Sequence, residues 1–147
     1  DFELGIMRNH YVGRTFIEPT QEVRDLKVKM KLTPIKHKIR GKKLVVIDDS
    51  IVRGTTSKRI VRMLKEAGAA EVHMRIASPA SKGACFYGVD TPNPEELIAS
   101  RMSVDEICEY IEADSLAYIS IEGMANSIKD DKNDYCFACF DGEYPIK

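Results

Sequence analysis

Val45-Val46-Ile47-Asp48-Asp49-Ser50-Ile51-Val52-Arg53-Gly54-Thr55-Thr56-Ser57 decides how the rest of the chain is read: an apolar strand runs into two carboxylates and then a Gly/Thr/Ser turn that opens a helix. Leu44 to Ile47 are apolar without alternation. That is the pattern of a strand covered on both faces of a parallel sheet, where ligands gather at the carboxyl ends of the strands. Asp48 and Asp49 fall at that end. Gly54 lets backbone approach a ligand, and Thr55, Thr56 and Ser57 place hydroxyls beside the unsatisfied N–H groups of a helix start. A phosphate suits that turn. The acids would repel it, so they are expected to face ribose hydroxyls or a hydroxyl-bound Mg²⁺. Taken alone, an Asp-Asp pair is a solvated turn and a Thr/Ser cluster an N-cap; it is their register along one strand-turn-helix that points to a ribose-phosphate site.

Beyond the turn, Ile60, Val61, Met63 and Leu64 recur at helical spacing, and Ala67-Gly68 ends the helix with Gly68 at C′. Glu71 to Ala77 reads as the next strand, joined by a right-handed crossover. A helix is predicted over Pro94 to Ser100, and another over Val104 to Glu112, capped by Ser103 with Glu106 three residues on. Leu116 to Ile119 gives a further short strand. Before the turn, Asp1 to Arg14 lacks a core pattern and reads as a mobile loop. The stretch from Gln21 to Lys38 is basic through Arg24, Lys27, Lys29, Lys31, Lys36 and Lys38, either a solvated face or an attraction for pyrophosphate. The fold class is α/β: an open, mostly parallel sheet with a carboxyl-terminal extension.

With 147 residues, 44% of them hydrophobic and 31% charged, the chain makes one domain-sized core. A net charge of −1 gives no global electrostatic case for nucleic acid or an anionic membrane. No apolar run approaches the roughly 20 residues that span a bilayer, and no signal peptide opens the sequence. The expected partners are small molecules and other subunits.

Four cysteines make the second chemical feature. Cys136 and Cys139 form a Cys-x-x-Cys pair able to reach one metal centre, and Cys85 lies upstream in a turn that ends in Phe86-Tyr87-Gly88. Zinc, a redox disulfide and an iron–sulfur cluster are all open on spacing alone. Cys108, inside the Val104 to Glu112 helix, reads as a packed residue. His37 and His73 read as a surface and a strand-face residue.

The segment from Asp48 to Ser57 resembles the phosphoribosyl pyrophosphate signature of type I phosphoribosyltransferases. Its Ser50-Ile51-Val52-Arg53 piece is similar in particular to the glutamine phosphoribosylpyrophosphate amidotransferase family, where salvage transferases usually carry a different apolar, Thr-Gly-type loop. Arg8-Asn9-His10-Tyr11-Val12-Gly13-Arg14-Thr15-Phe16-Ile17 resembles that family's closing loop, with His10 where an Arg is common. Asp114 to Gly123 resembles a late strand and turn. Cys136-Phe137-Ala138-Cys139-Phe140 with Gly142 and Tyr144-Pro145 resembles the cluster-binding end. Ala80-Ser81-Lys82-Gly83-Ala84 departs from a pattern usually richer in Pro and Tyr.

The resemblance covers nearly the whole chain and implies a carboxyl-terminal part of a longer enzyme whose amino-terminal glutaminase domain is not visible in this sequence. It implies the following organisation: 1–120 as part of a phosphoribosyltransferase domain, with 1–40 a flexible loop region and 44–57 the phosphoribosyl pyrophosphate motif, then 121–147 as a helical, cluster-binding extension. Asp48 and Asp49 would hold ribose hydroxyls and Mg²⁺. Ser50, Val52, Arg53, Gly54, Thr55, Thr56 and Ser57 would bind substrate, and Tyr11, Arg14 and Thr15 would form the lid. Cys85, Cys136 and Cys139 would supply three ligands of a [4Fe–4S] cluster whose fourth lies elsewhere. Phosphoribosyl pyrophosphate would be the substrate, ammonia from the glutaminase domain the nucleophile, and purine nucleotides the inhibitors, in a cytoplasmic homotetramer. The alternatives are a salvage phosphoribosyltransferase, a non-catalytic phosphoribosyl pyrophosphate-binding regulator, and a zinc-stapled module.

Overall fold

The computed structural model describes residues 2–9, 32–89, 93–128, 131–144 and 146. In chain order these form β1 (Ile6–Arg8), β2 (Leu32–Pro34), α1 (Lys36–Ile39), β3 (Lys43–Asp48), α2 (Thr55–Glu66), β4 (Glu71–Ile76), two 3₁₀ turns (Pro94–Glu96 and Ile98–Ser100), α3 (Val104–Ile111), β5 (Ser115–Tyr118), α4 (Ile121–Ser127), a 3₁₀ turn (Lys132–Asp134) and α5 (Ala138–Asp141). Strands β3, β4 and β5 make a parallel sheet in that order, while β1 and β2 pair antiparallel in a separate two-stranded sheet.

The helix after the acidic turn runs as its periodicity requires. Val61 and Leu64 of α2 face inward, Ala67 closes the helix, and Gly68 follows at φ +96°. Helix α3 carries the expected capping box: the Ser103 hydroxyl accepts from the Glu106 N–H, and the Glu106 carboxylate accepts from the Ser103 N–H at 2.7 Å. Val61, Leu64, Ile107 and Ile111 pack against Val72, Met74 and Ile76 of β4 in one core that also takes in Ile39, Ile51 and Ile98. Burying each large aliphatic side chain of that core contributes roughly 1.5–3 kcal/mol. Across the surface, the Arg62 guanidinium donates to both Glu112 carboxylate oxygens, and Lys58 approaches the same carboxylate at 3.3 Å, joining α2 to the end of α3.

The structure corrects three expectations. Among the described residues β3 is covered on one face only: Val45 is 65% exposed and Ile47 73% exposed, because both helices that follow it pack on the opposite side. Pro94 to Ser100 is not an α-helix but two 3₁₀ turns hinged at Leu97, whose backbone is extended (φ −75°, ψ 113°). Leu97, Ile98 and Ala99 are all buried, and three consecutive residues cannot share one face of an α-helix. Finally, the loop read over Asp1 to Arg14 contains strand β1, too short to show a period.

Candidate ribose-phosphate turn and thiol cluster

Strand β3 delivers Asp48 and Asp49 to the carboxyl end of the parallel sheet, where the Asp48 carbonyl accepts from the Ala77 N–H at 2.9 Å and so stays tied to the end of β4. The Asp49 N–H donates to Asp48 Oδ1 at 3.0 Å, and the Ser50 hydroxyl donates to Asp49 Oδ1 at 3.0 Å. Burial raises the Asp48 carboxyl above its ordinary value, the neighbouring Asp49 charge adds to that, and the Asp49 N–H partly offsets it. Two adjacent acids whose charges oppose one another suit a divalent cation or sugar hydroxyls.

The turn that follows is anchored from three sides. The Ile51 side chain is buried, the Val52 carbonyl accepts from the Ile98 N–H at 2.9 Å, and the Arg53 Nε donates to Glu96 Oε2 at 2.8 Å. Gly54 then takes φ +76°, the left-handed region, and becomes the N-cap of α2. No side chain caps this helix, so its first-turn N–H groups are not spent on one. Thr55 and Thr56 are exposed beside them; Ser57 is buried at 3% exposure. The arrangement fits an anion at the helix start and a polyol or Mg²⁺ at the acids.

The structure brings together the turn residues expected from sequence and gives two of them structural contacts as well. Gly54 is required by its backbone angle and by packing, since a Cβ there would lie 2.9 Å from Ile98 Cδ1 and 3.0 Å from Tyr110 Cε1. The Arg53 guanidinium is engaged by Glu96. Tyr11, Arg14 and Thr15 lie outside the described residues, as does most of the basic stretch. Sequence reasoning missed Ile98, Glu96 and Tyr110, which brace the turn from a segment more than forty residues away. It also missed the buried hydroxyls of Ser78 and Tyr118, just past β4 and at the end of β5, which have no hydrogen-bond partner among the described residues. Burial pushes the Tyr118 phenol up to about 12.

The turn holding Cys85 and the helix holding Cys139 lie side by side. The Lys82 and Gly83 N–H groups donate to the Cys139 carbonyl at 3.3 and 3.2 Å, and the Tyr144 hydroxyl donates to the Ala84 carbonyl, so the turn holding Cys85 is laid against α5. Tyr144 also packs on Phe86 and Tyr87, at ring separations of 4.9 and 5.3 Å. None of the four cysteines is in a disulfide. Burial raises the Cys139 thiol above its ordinary value, and charge at Cys85 and Cys136 adds to the rise. Among the described residues, however, no group of three or more His, Cys, Asp or Glu side chains is closed into a metal-binding set. Cys108 stands apart, donating to the Ala113 carbonyl at 3.3 Å, as a packed helical thiol does.

Comparison with known proteins agrees with this geometry. No family model matches the chain. It is 59% identical over 146 residues to amidophosphoribosyltransferase 2, chloroplastic, of Arabidopsis thaliana, an alignment covering 99% of this chain and 26% of that protein. It is 56% identical to amidophosphoribosyltransferase of Synechocystis, covering 97% of this chain and 29% of that one. The backbone superposes on a solved structure described as the allosteric regulatory enzyme of purine biosynthesis with a TM-score of 0.83 and 52% identity, over 99% of this chain and 32% of the other. It superposes on glutamine phosphoribosylpyrophosphate amidotransferase from B. subtilis complexed with ADP and GMP with a TM-score of 0.81 and 52% identity, over 97% of this chain and 32% of that one. The chain thus spans about a quarter to a third of the proteins it matches. By sequence and by backbone, nearly the whole chain matches one segment of amidophosphoribosyltransferases.

Proposed function

We propose that the full-length protein carrying this chain is an amidophosphoribosyltransferase, converting phosphoribosyl pyrophosphate and glutamine-derived ammonia to 5-phosphoribosylamine and pyrophosphate in the first step of purine synthesis. This chain contributes the ribose-phosphate half of that site. The observation that carries the reading is the passage from Asp48-Asp49 through a left-handed Gly54 into the uncapped start of α2. Asp48 and Asp49 would hold the ribose hydroxyls and Mg²⁺, which when bound would supply positive charge to the pyrophosphate leaving group. As pyrophosphate leaves, positive charge develops on the ribose, and fixed carboxylates stabilise it electrostatically. The N–H groups at the start of α2, with Thr55 and Thr56, hold the 5-phosphate. Tyr11, Arg14 and Thr15 belong to a lid that excludes water from the activated sugar.

Cys85, Cys136 and Cys139 would supply three thiolates to a [4Fe–4S] cluster, with the fourth ligand outside this chain. The donor set fits in chemistry, and the group would staple the 121–147 extension to the transferase portion at 1–120. Purine nucleotides, sharing a 5-phosphate and ribose with the substrate, are read as inhibitors; the B. subtilis relative was solved with ADP and GMP. Assembly as a homotetramer in the cytoplasm completes the proposal, with the plastid as the alternative compartment because the Arabidopsis relative is named chloroplastic.

The test is formation of pyrophosphate from Mg²⁺-phosphoribosyl pyrophosphate by the full-length protein. Release that depends on glutamine or ammonia is expected. Release that depends instead on a free purine or pyrimidine base would make it a salvage transferase.

A further inference from the structure

We propose that Glu96 is a positioning residue for the ribose-phosphate turn, acting through Arg53, and that Arg53 itself serves as a brace and not as a phosphate ligand. The inference rests on the reading of the turn given above and adds a residue to it. Its ground is geometric: Arg53 Nε donates to Glu96 Oε2 at 2.8 Å, and Arg53 Nη2 reaches the same oxygen at 2.6 Å. Two residues further on, the Ile98 N–H donates to the Val52 carbonyl at 2.9 Å. The 3₁₀ segment therefore grips the turn twice, once by side chain at Arg53 and once by backbone at Val52. Ile98 is 2% exposed, so the gripping segment is itself rooted in the core.

A turn that binds phosphate through backbone N–H groups works only if its backbone is already in place, because disorder has to be removed on binding. Arg53 immediately precedes the left-handed Gly54, the residue that aims the start of α2. Holding the Arg53 side chain against Glu96 fixes the backbone where the chain turns. It also engages the Nε and Nη2 edge of the guanidinium with a carboxylate, so that edge is not offered to an incoming anion. The pair is half-exposed, with side chains 49% and 46% accessible, so its effect is modest: about two- to fivefold in binding.

The experiment measures the dissociation constant for Mg²⁺-phosphoribosyl pyrophosphate by calorimetry in the full-length protein. It uses wild type, Glu96→Gln, Arg53→Gln, the double variant and Asp48→Asn/Asp49→Asn, with melting temperatures recorded beside each. The two single substitutions remove charges of opposite sign. A long-range effect on an anionic ligand would move the constant in opposite directions, whereas loss of a shared brace moves both the same way. The proposal expects each single variant to bind about two- to fivefold more weakly at nearly unchanged melting temperature. It expects the double variant to be no weaker than either single, and Glu96→Asp to recover part of the loss. Opposite shifts, additive losses, an unaffected Glu96→Gln, or an Arg53→Gln loss far larger than that of Glu96→Gln would overturn it. Undiminished binding in Asp48→Asn/Asp49→Asn would overturn the functional reading instead, so the two failures are told apart.

Discussion

Gly54 carries two demands at once, a positive φ and a tight fit against Ile98 and Tyr110, and a side chain at this position makes both costly. Left-handed backbone costs a non-glycine residue roughly 1–2 kcal/mol, and forcing atoms into a packed site costs about 1–3 more. Gly54→Ala is therefore expected to lower unfolding free energy by about 2–5 kcal/mol in urea titration; a change under about 0.5 kcal/mol would mean that the turn does not hold this shape. Glu112 is the residue-scale counterpart in electrostatics. Its hydrogen bond from Arg62, with Lys58 assisting, lowers its carboxyl from the ordinary 4.5 to about 2. A depressed carboxylate contributes stability that is present above its unfolded value and lost as pH falls toward the folded one. The urea midpoint should accordingly decline between about pH 4.5 and 2, and Glu112→Gln should flatten that decline. An identical acid profile in the variant would contradict the assignment.

At the scale of elements, β3, the acidic turn and α2 were legible in sequence because their signals are local: an unbroken apolar run, twin acids, a Gly, then a helical period ending at Ala67-Gly68. The capping box at Ser103 and Glu106 was legible for the same reason. What supports the turn was not legible, since Glu96 and Ile98 reach it across more than forty residues and nothing in a short window marks them as its neighbours. Leu97, Ile98 and Ala99 were misread as a helix because sequence shows apolarity but not that three successive residues point inward. Cys136 and Cys139 were legible as a Cys-x-x-Cys pair. The aromatic packing of Tyr144 on Phe86 and Tyr87, which lays the Cys85 turn against α5, was not.

At the scale of the molecule, the three-stranded sheet is packed on one side by α2 and α3 and, among the described residues, open on the other, where Val45 and Ile47 lie exposed at its edge strand. Large apolar side chains on an open sheet promote association. The 147-residue chain by itself is expected to self-associate with concentration and to bind a hydrophobic dye, both reduced by Val45→Thr/Ile47→Thr; a monomeric, dye-free chain would contradict the one-sided packing. That uncovered face contrasts with the acidic turn at the carboxyl ends of the strands, where polar groups converge and neighbouring segments brace the backbone. On the proposed function, that turn holds the ribose and 5-phosphate of the substrate. The most direct measurement is calorimetric titration of the full-length protein with Mg²⁺-phosphoribosyl pyrophosphate, beside an Asp48→Asn/Asp49→Asn variant of unchanged melting temperature. Saturable binding to the wild type and its loss in the variant is the predicted result; equal binding by both proteins would contradict the assignment of the site.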